Sequence, residues 1–237
     1  MIVDSHCLVG FWPLDRRDLS PEALLRLMDR HGVAQACIVS TRAFIYDFVE
    51  GNEETLKWCG AQERFLPVAV IDPRRYIECP SEIASARQRG FRLFRLFPDR
   101  QGWRADAPAF HRLVPGLAEA GLPLAVPPEI GLGALATRLP ELRAPVILSG
   151  VTYWQLADAL AMMETAGNLL MDTSMLNSPG AVEQVCQLFG PERLVFGSGA
   201  LLNHMAPALR TVRHAQITEA QREPILGGSL RSLLGRA

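Results

Sequence analysis

Residues 1–10 read MIVDSHCLVG, an apolar run broken by Asp4 and followed by His6, Leu8 and Gly10. Val, Ile and Leu in so short a stretch predict a strand over 2–4, with a charged residue at its end and an imidazole just beyond. Positions 6 and 8 fall on one face of an extended chain, because side chains alternate with a period of two. A paired metal site at such an end needs histidine at both positions, and the second holds Leu8. Whether this opening belongs to a metal centre depends on the rest of the chain.

Seven further apolar runs follow, over 36–40, 66–71, 91–97, 122–126, 146–149, 169–172 and 194–197. They are continuous rather than alternating, the pattern of parallel strands covered on both faces. Amphipathic stretches separate them, with recognisable starts and stops. LSPEALLRLMDRHG predicts a helix capped by Ser20, with Pro21 at its first position and Gly32 past its end. Ser81 and Gly90 are the expected cap and stop of a second helix, Ser178 and Gly190 those of a third. The last helix is expected to start at Thr218 and to be interrupted near Pro224 and Gly227–Gly228. Eight β-then-α units predict an α/β chain folded as one (β/α)8 TIM barrel over 1–237. A doubly wound open sheet would carry a GxGxxG turn after its first strand, and DSHCLVGFWP is not one.

The chain has 237 residues, 49% hydrophobic and 21% charged, with a net charge of −1. That balance offers no field to attract nucleic acid or an anionic membrane. Five scattered cysteines without a CxxC spacing argue against a disulfide framework or zinc ribbon, and favour a reducing cytoplasm. No signal-like or membrane-spanning run of apolar residues is expected. Of 24 basic residues only Lys57 is lysine, and it lies in a helical stretch, which removes a Schiff-base or metal-bridging lysine.

A barrel places its chemistry at the C-terminal ends of its strands. Those ends hold His6, then Ser40, Thr41 and Arg42, then Asp72, Arg95, and Pro127, Pro128 and Glu129. Ser149, Gly150, Tyr153 and Trp154 follow the sixth strand, Asp172 and Ser174 the seventh, and Ser198, Gly199, Asn203 and His204 the eighth.

On these stretches the chain resembles the amidohydrolase superfamily, in the branch containing aminocarboxymuconate-semialdehyde decarboxylase. IVDSHCLVG is similar to an opening strand usually written Asp-x-His-x-His; ERFLPVAVIDP, GFRLFRLFP, GLPLAV, LLMDTS and PERLVFGSG resemble strands three, four, five, seven and eight. ILGGSLRSLLG resembles the closing helix. The resemblance implies a divalent metal, zinc or manganese, held by two histidines after strand one, a histidine after strand five and an aspartate after strand eight. A further histidine after strand six assists the chemistry. Carried over position by position, only His6 survives; the others fall on Leu8, Pro127, Gly199 and Gly150. Leu, Pro and Gly side chains offer no lone pair to a metal, and one histidine does not hold a divalent cation. No cofactor is therefore expected.

Two readings give the chain a function, and a third makes it an inert scaffold whose helices form a dimer. In the first the chain is a noncatalytic binding protein or subunit, assembled with itself or with an active relative. In the second it is a metal-independent hydrolase, lyase or decarboxylase acting on a small carboxylated or cyclic substrate. For that chemistry the residues to watch are His6, Arg95, Glu129 and Asp172; for ligand binding, Arg42, Tyr153, Trp154, Ser174, Ser198 and His204. A rebuilt metal site from His6, Glu129 and His204 is a further alternative. Cys7 beside His6 is expected to be a buried, inert thiol, since neighbours in a strand point to opposite sides. Asp4 is expected to be structural.

Overall fold

The computed structural model describes residues 1–235. Eight strands lie in sequence order in one parallel sheet: β1 (Ile2–Val9), β2 (Val33–Ser40), β3 (Phe65–Val70), β4 (Leu93–Arg95), β5 (Leu124–Val126), β6 (Val146–Leu148), β7 (Leu169–Asp172) and β8 (Leu194–Val195). The sheet closes on itself through the segment after β8. Ser5 N donates to Phe196 O (2.9 Å), Gly199 N donates to His6 O (2.9 Å), and Cys7 bridges Ala200. Closure removes the exposed edges of an open sheet. The (β/α)8 expectation is met, and each strand falls on an apolar run singled out above.

β1 extends to Val9, five residues beyond the predicted end at Asp4, because pairing continues on both sides. Cys7, Leu8 and Val9 pair with Ile38, Val39 and Ser40, while residues 196–200 run along the other edge. The register between β1 and β2 shifts between Asp4 and Cys7, so His6 stands at an irregular point of the strand. Such irregularities re-aim a side chain near a site.

The outer layer is built from α1 (Pro21–His31), α2 (Phe48–Ala61), α3 (Cys79–Ala86), α4 (Pro108–Ala120), α5 (Leu132–Ala136), α6 (Leu156–Thr165), α7 (Ala181–Phe189) and α8 (Met205–Arg213). α1 has the predicted ends: Ser20 Oγ accepts from Ala23 N (3.2 Å), and Gly32 closes it. Leu24 and Met28, one turn apart, bury its inner face. Thr218 and Gln221 form a capping box at the start of the terminal helical region, which is interrupted over Pro224–Gly228 as expected.

Two caps differ from expectation. Ser81 lies inside α3, which begins at Cys79; its hydroxyl donates to Glu78 O (2.8 Å) within the first turn. Pro80 explains the earlier start, since a proline suits a first turn whose N–H groups lack partners. Ser178 lies outside α7, where Gly180 occupies the cap, and Ala181 N reaches the Ser178 carbonyl at 3.1 Å rather than its hydroxyl.

Candidate functional site

The strand ends converge on a cavity of about 330 Å³. β1 delivers His6 and Leu8 to it, two residues apart on one face; β4 delivers Arg95; the turns after β5 and β6 deliver Pro127, Glu129, Ser149 and Gly150. Its walls are largely apolar, with Trp12, Phe44 and Phe97 among them, and Phe44 stacks on Phe97 at 4.1 Å between ring centres. A few convergent polar groups in a mostly apolar concavity is the usual form of a small-molecule site.

His6 and Arg95 form the centre. Arg95 Nη2 stands 3.0 Å from His6 Nδ1. A guanidinium has only donors, so Nδ1 accepts, and the neutral ring carries its proton on Nε2. Burial, and then the Arg95 charge, hold the His6 pKa well below 6.5. His6 is therefore a neutral hydrogen-bond donor toward the cavity at physiological pH. Arg95 is 4% exposed, and burial pulls its pKa down to about 10, which leaves it a cation. Its Nε and Nη1 are buried and have no partner.

Two buried aspartates lie beneath. Asp172 Oδ1 accepts from Gly150 N (3.0 Å), Ser174 N (3.0 Å) and Ser174 Oγ (2.6 Å), tying the turn after β6 to the end of β7. Its Oδ2 lies 3.8 Å from His6 Nδ1 without a hydrogen bond. Asp4 Oδ1 accepts from His6 N and Ser198 N, both at 3.0 Å, and its Oδ2 accepts from Ser198 Oγ at 2.5 Å. Asp4 thus fastens β1 to the segment after β8, the structural role expected of it. Burial raises its pKa to about 6. Cys7 is fully buried, and desolvation pushes its thiol pKa well above the ordinary value, as expected for an inert cysteine.

A model of the amidohydrolase family matches residues 11–235. The chain belongs to the amidohydrolase family. Among solved structures, this barrel is similar to an uncharacterised TIM-barrel protein of Bordetella bronchiseptica, with 17% identity over 99% of this chain and 98% of that one, TM-score 0.80. It is also similar to 2,6-dihydroxybenzoate decarboxylase from Rhizobium, at 15% identity over 99% and 98% of the chains, TM-score 0.77. A third is a dihydroxybenzoic acid decarboxylase of a Polaromonas species with bound manganese and 2-nitroresorcinol, at 13% identity over 99% and 96%, TM-score 0.76. At these identities the likeness is one of fold. No curated protein matches the sequence significantly.

Of the positions where the resemblance implies metal ligands, one holds a side chain with a lone pair to offer, His6. The one imidazole in place, His6, already accepts from a guanidinium at Nδ1, so a fixed cation sits against it. Leu8, Pro127 and Gly150 border the cavity without supplying a side-chain ligand. At Gly199 the backbone is left-handed (φ 68°), and a Cβ would lie 2.6 Å from Asn203 Nδ2. An acidic side chain there would need the Asn203 amide to move aside. Among the described residues no group of three His, Cys, Asp or Glu is placed to hold a metal ion.

Of the residues singled out in the sequence, the cavity brings together His6, Arg95 and Glu129, with Asp172 one layer below. Ser174 and Ser198 serve the two aspartates rather than the cavity. Arg42 lies elsewhere, bordering a second hollow with Phe11, Tyr46 and Glu54, and pairs with Glu50. Tyr153 and Trp154 are 65% and 83% exposed and pack edge-on against each other. His204 caps α8 and does not border the cavity. Sequence reasoning passed over Trp12, Phe44, Ser149 and Asn203 as site residues. Ser149 and Asn203 were visible as strand-end positions; nothing local distinguished Trp12 or Phe44 from ordinary core.

Proposed function

We propose that this chain is a noncatalytic amidohydrolase-family barrel whose strand-end cavity binds a small organic molecule without a divalent metal, as a binding protein or binding subunit. The observation that carries this reading is the Arg95–His6 pair. A guanidinium stands against Nδ1 of the one family ligand left in place, and burial, then that charge, keeps the imidazole neutral. The cavity supports binding rather than an inert scaffold, because the mouth stays open at about 330 Å³ although Leu8 and Pro127 line it. Five free cysteines fit a reducing compartment, and we place the protein in the cytoplasm. Among the described residues no helix is long and apolar enough to cross a membrane.

The test is metal analysis of protein purified after growth with added zinc and manganese, paired with the His6→Asn variant. Substoichiometric metal, unchanged by the substitution, is expected. Stoichiometric metal that disappears with His6 overturns the reading. Glu129 at the cavity border and the decarboxylase neighbours favour one alternative, a metal-independent lyase or decarboxylase with Glu129 as its acid or base. Carbon dioxide release from a panel of hydroxybenzoates, abolished by Glu129→Gln, would establish that alternative instead.

A further inference from the structure

We propose that the second hollow, between the connections after β1 and β2 and apart from the strand-end cavity, binds a small alkylated ammonium ion between Phe11, Tyr46 and the carboxylate of Glu54. The hollow has a volume of about 300 Å³, and Arg42 completes its border.

The frame of the hollow is fixed by the end of β2. Thr41 Oγ1 donates to Phe11 O (2.7 Å) and Thr41 N donates to Val9 O (2.8 Å), which holds the backbone that carries the first ring. Trp12, next in the chain, is 8% exposed and borders the strand-end cavity, whereas Phe11 is 65% exposed and borders this hollow. Tyr46, 67% exposed, follows the single helical turn Arg42–Ile45. Lone rings in water are ordinary on a protein surface. Here two of them border one hollow together with a carboxylate. The negative face of an aromatic ring attracts a cation, and a carboxylate beside it adds to that attraction.

Glu54 is the charge left over. Glu50 and Glu54 stand one turn apart on α2. Arg42 pairs with Glu50, and among the described residues no cation pairs with Glu54. Glu54 is instead tied to the strand end. The fully buried Ser40 donates its hydroxyl to Glu54 Oε2 at 2.5 Å, and Arg42 N donates to that same hydroxyl at 3.1 Å. One guanidinium against two carboxylates leaves one negative charge, and a monocation offsets it. An anion would face Glu54, and a neutral molecule would gain chiefly the apolar contact with the rings. A hollow of this size admits a compact ammonium ion with methyl-sized substituents.

The experiment is titration of the full chain at fixed ionic strength, followed by ligand-observed nuclear magnetic resonance. The probes are tetramethylammonium, tert-butanol, which is neutral and of similar shape, and pivalate, an anion with the same apolar group. Each is run on the parent protein, Phe11→Ala, Tyr46→Ala and Glu54→Gln. Tetramethylammonium is expected to bind in the millimolar range, at least about fivefold tighter than tert-butanol, with pivalate weakest. Removing either ring should weaken it by about two- to fivefold, the scale of one exposed cation–π contact. Glu54→Gln keeps an acceptor for Ser40 and removes the charge; it should weaken tetramethylammonium by a similar factor and leave tert-butanol unchanged. Both rings are exposed, so their loss leaves the core intact, and circular dichroism checks each variant. Should one variant fail to fold, the other two and the ranking of probes on the parent protein decide. Tert-butanol binding as tightly as tetramethylammonium overturns the cation assignment. Pivalate binding tightest overturns the charge argument, since Arg42 would then govern the hollow. Tetramethylammonium binding that none of the three substitutions alters lies elsewhere and overturns this site, as does the absence of saturable binding.

Discussion

Asp4→Asn isolates the electrostatic cost of the latch that closes the barrel. The Asp4 carboxyl is fully buried, and its pKa in the fold is about 6 against an ordinary 3.8. Burial is the main cause; the hydrogen bonds from Ser198 and from His6 N oppose it without cancelling it. The folded state therefore holds a proton that the unfolded chain has released between those two values. Stability from this group is fully present below pH 3.8 and is lost as pH rises through about 6. About two units at roughly 1.4 kcal/mol each come to about 3 kcal/mol of destabilisation at pH 7. Asparagine keeps an acceptor for the His6 and Ser198 N–H groups and carries no charge. Urea unfolding of both proteins from pH 4 to 7.5 reads the effect as a difference, so the other carboxylates drop out. The Asp4→Asn variant should gain about 2–3 kcal/mol relative to the parent across that range, whatever its offset at pH 4. A flat difference, or one drifting in favour of the parent, would show that the Ser198 hydrogen bonds outweigh burial and would refute the reasoning.

Three further outcomes are expected. Arg95→Met should cost about 3 kcal/mol, because it leaves the buried Asp172 without the guanidinium charge that acts on it; a change within about 1 kcal/mol in urea would mean Asp172 does not depend on that cation. Gly199→Asp should cost about 1–3 kcal/mol, from a left-handed backbone that disfavours a side chain and from crowding against Asn203, and Asn203→Ala in the same protein should recover part of the lost melting temperature. Cys7 should resist a thiol reagent in the native protein and react only on unfolding, while Cys59, the most exposed cysteine, should account for most native-state labelling, slow because burial raises its thiol pKa to about 12, and lose it in Cys59→Ser.

The barrel was legible because its strands are buried on both faces, and such strands write themselves as continuous apolar runs. Val146–Leu148 and Leu169–Asp172 are short, yet neither can be mistaken for the amphipathic stretches around them. Helix ends were less legible. Ser20 and Thr218 cap as expected, whereas Ser81 and Ser178 do not, since a cap is decided by the backbone angles of one residue and several serines near a helix start look alike. His6 and Arg95 could be placed at the site because each sits on or beside a strand, where position along the strand sets direction. Tyr153, Trp154, Arg42 and His204 lie on the connections beyond, and a loop's path is set by packing that no local pattern encodes. Asp172 was read as a reacting group from its place at a strand end; its hydrogen bonds to Gly150 N and Ser174 make it a strut as well.

The four positions without a family ligand are better understood through what surrounds them than as separate losses. Gly150 contributes its N–H to Asp172, with a left-handed backbone (φ 84°) that a histidine would adopt only under strain. Gly199 shares its space with Asn203. Leu8 and Pro127 border the cavity without a polar side chain. A side chain at Gly150 or Gly199 would have to adopt a left-handed backbone, so a ligand at either point needs the local chain to shift. That is why the opening MIVDSHCLVG, which reads as a metal strand with one histidine missing, is better judged beside Pro127, Gly150 and Gly199 than alone.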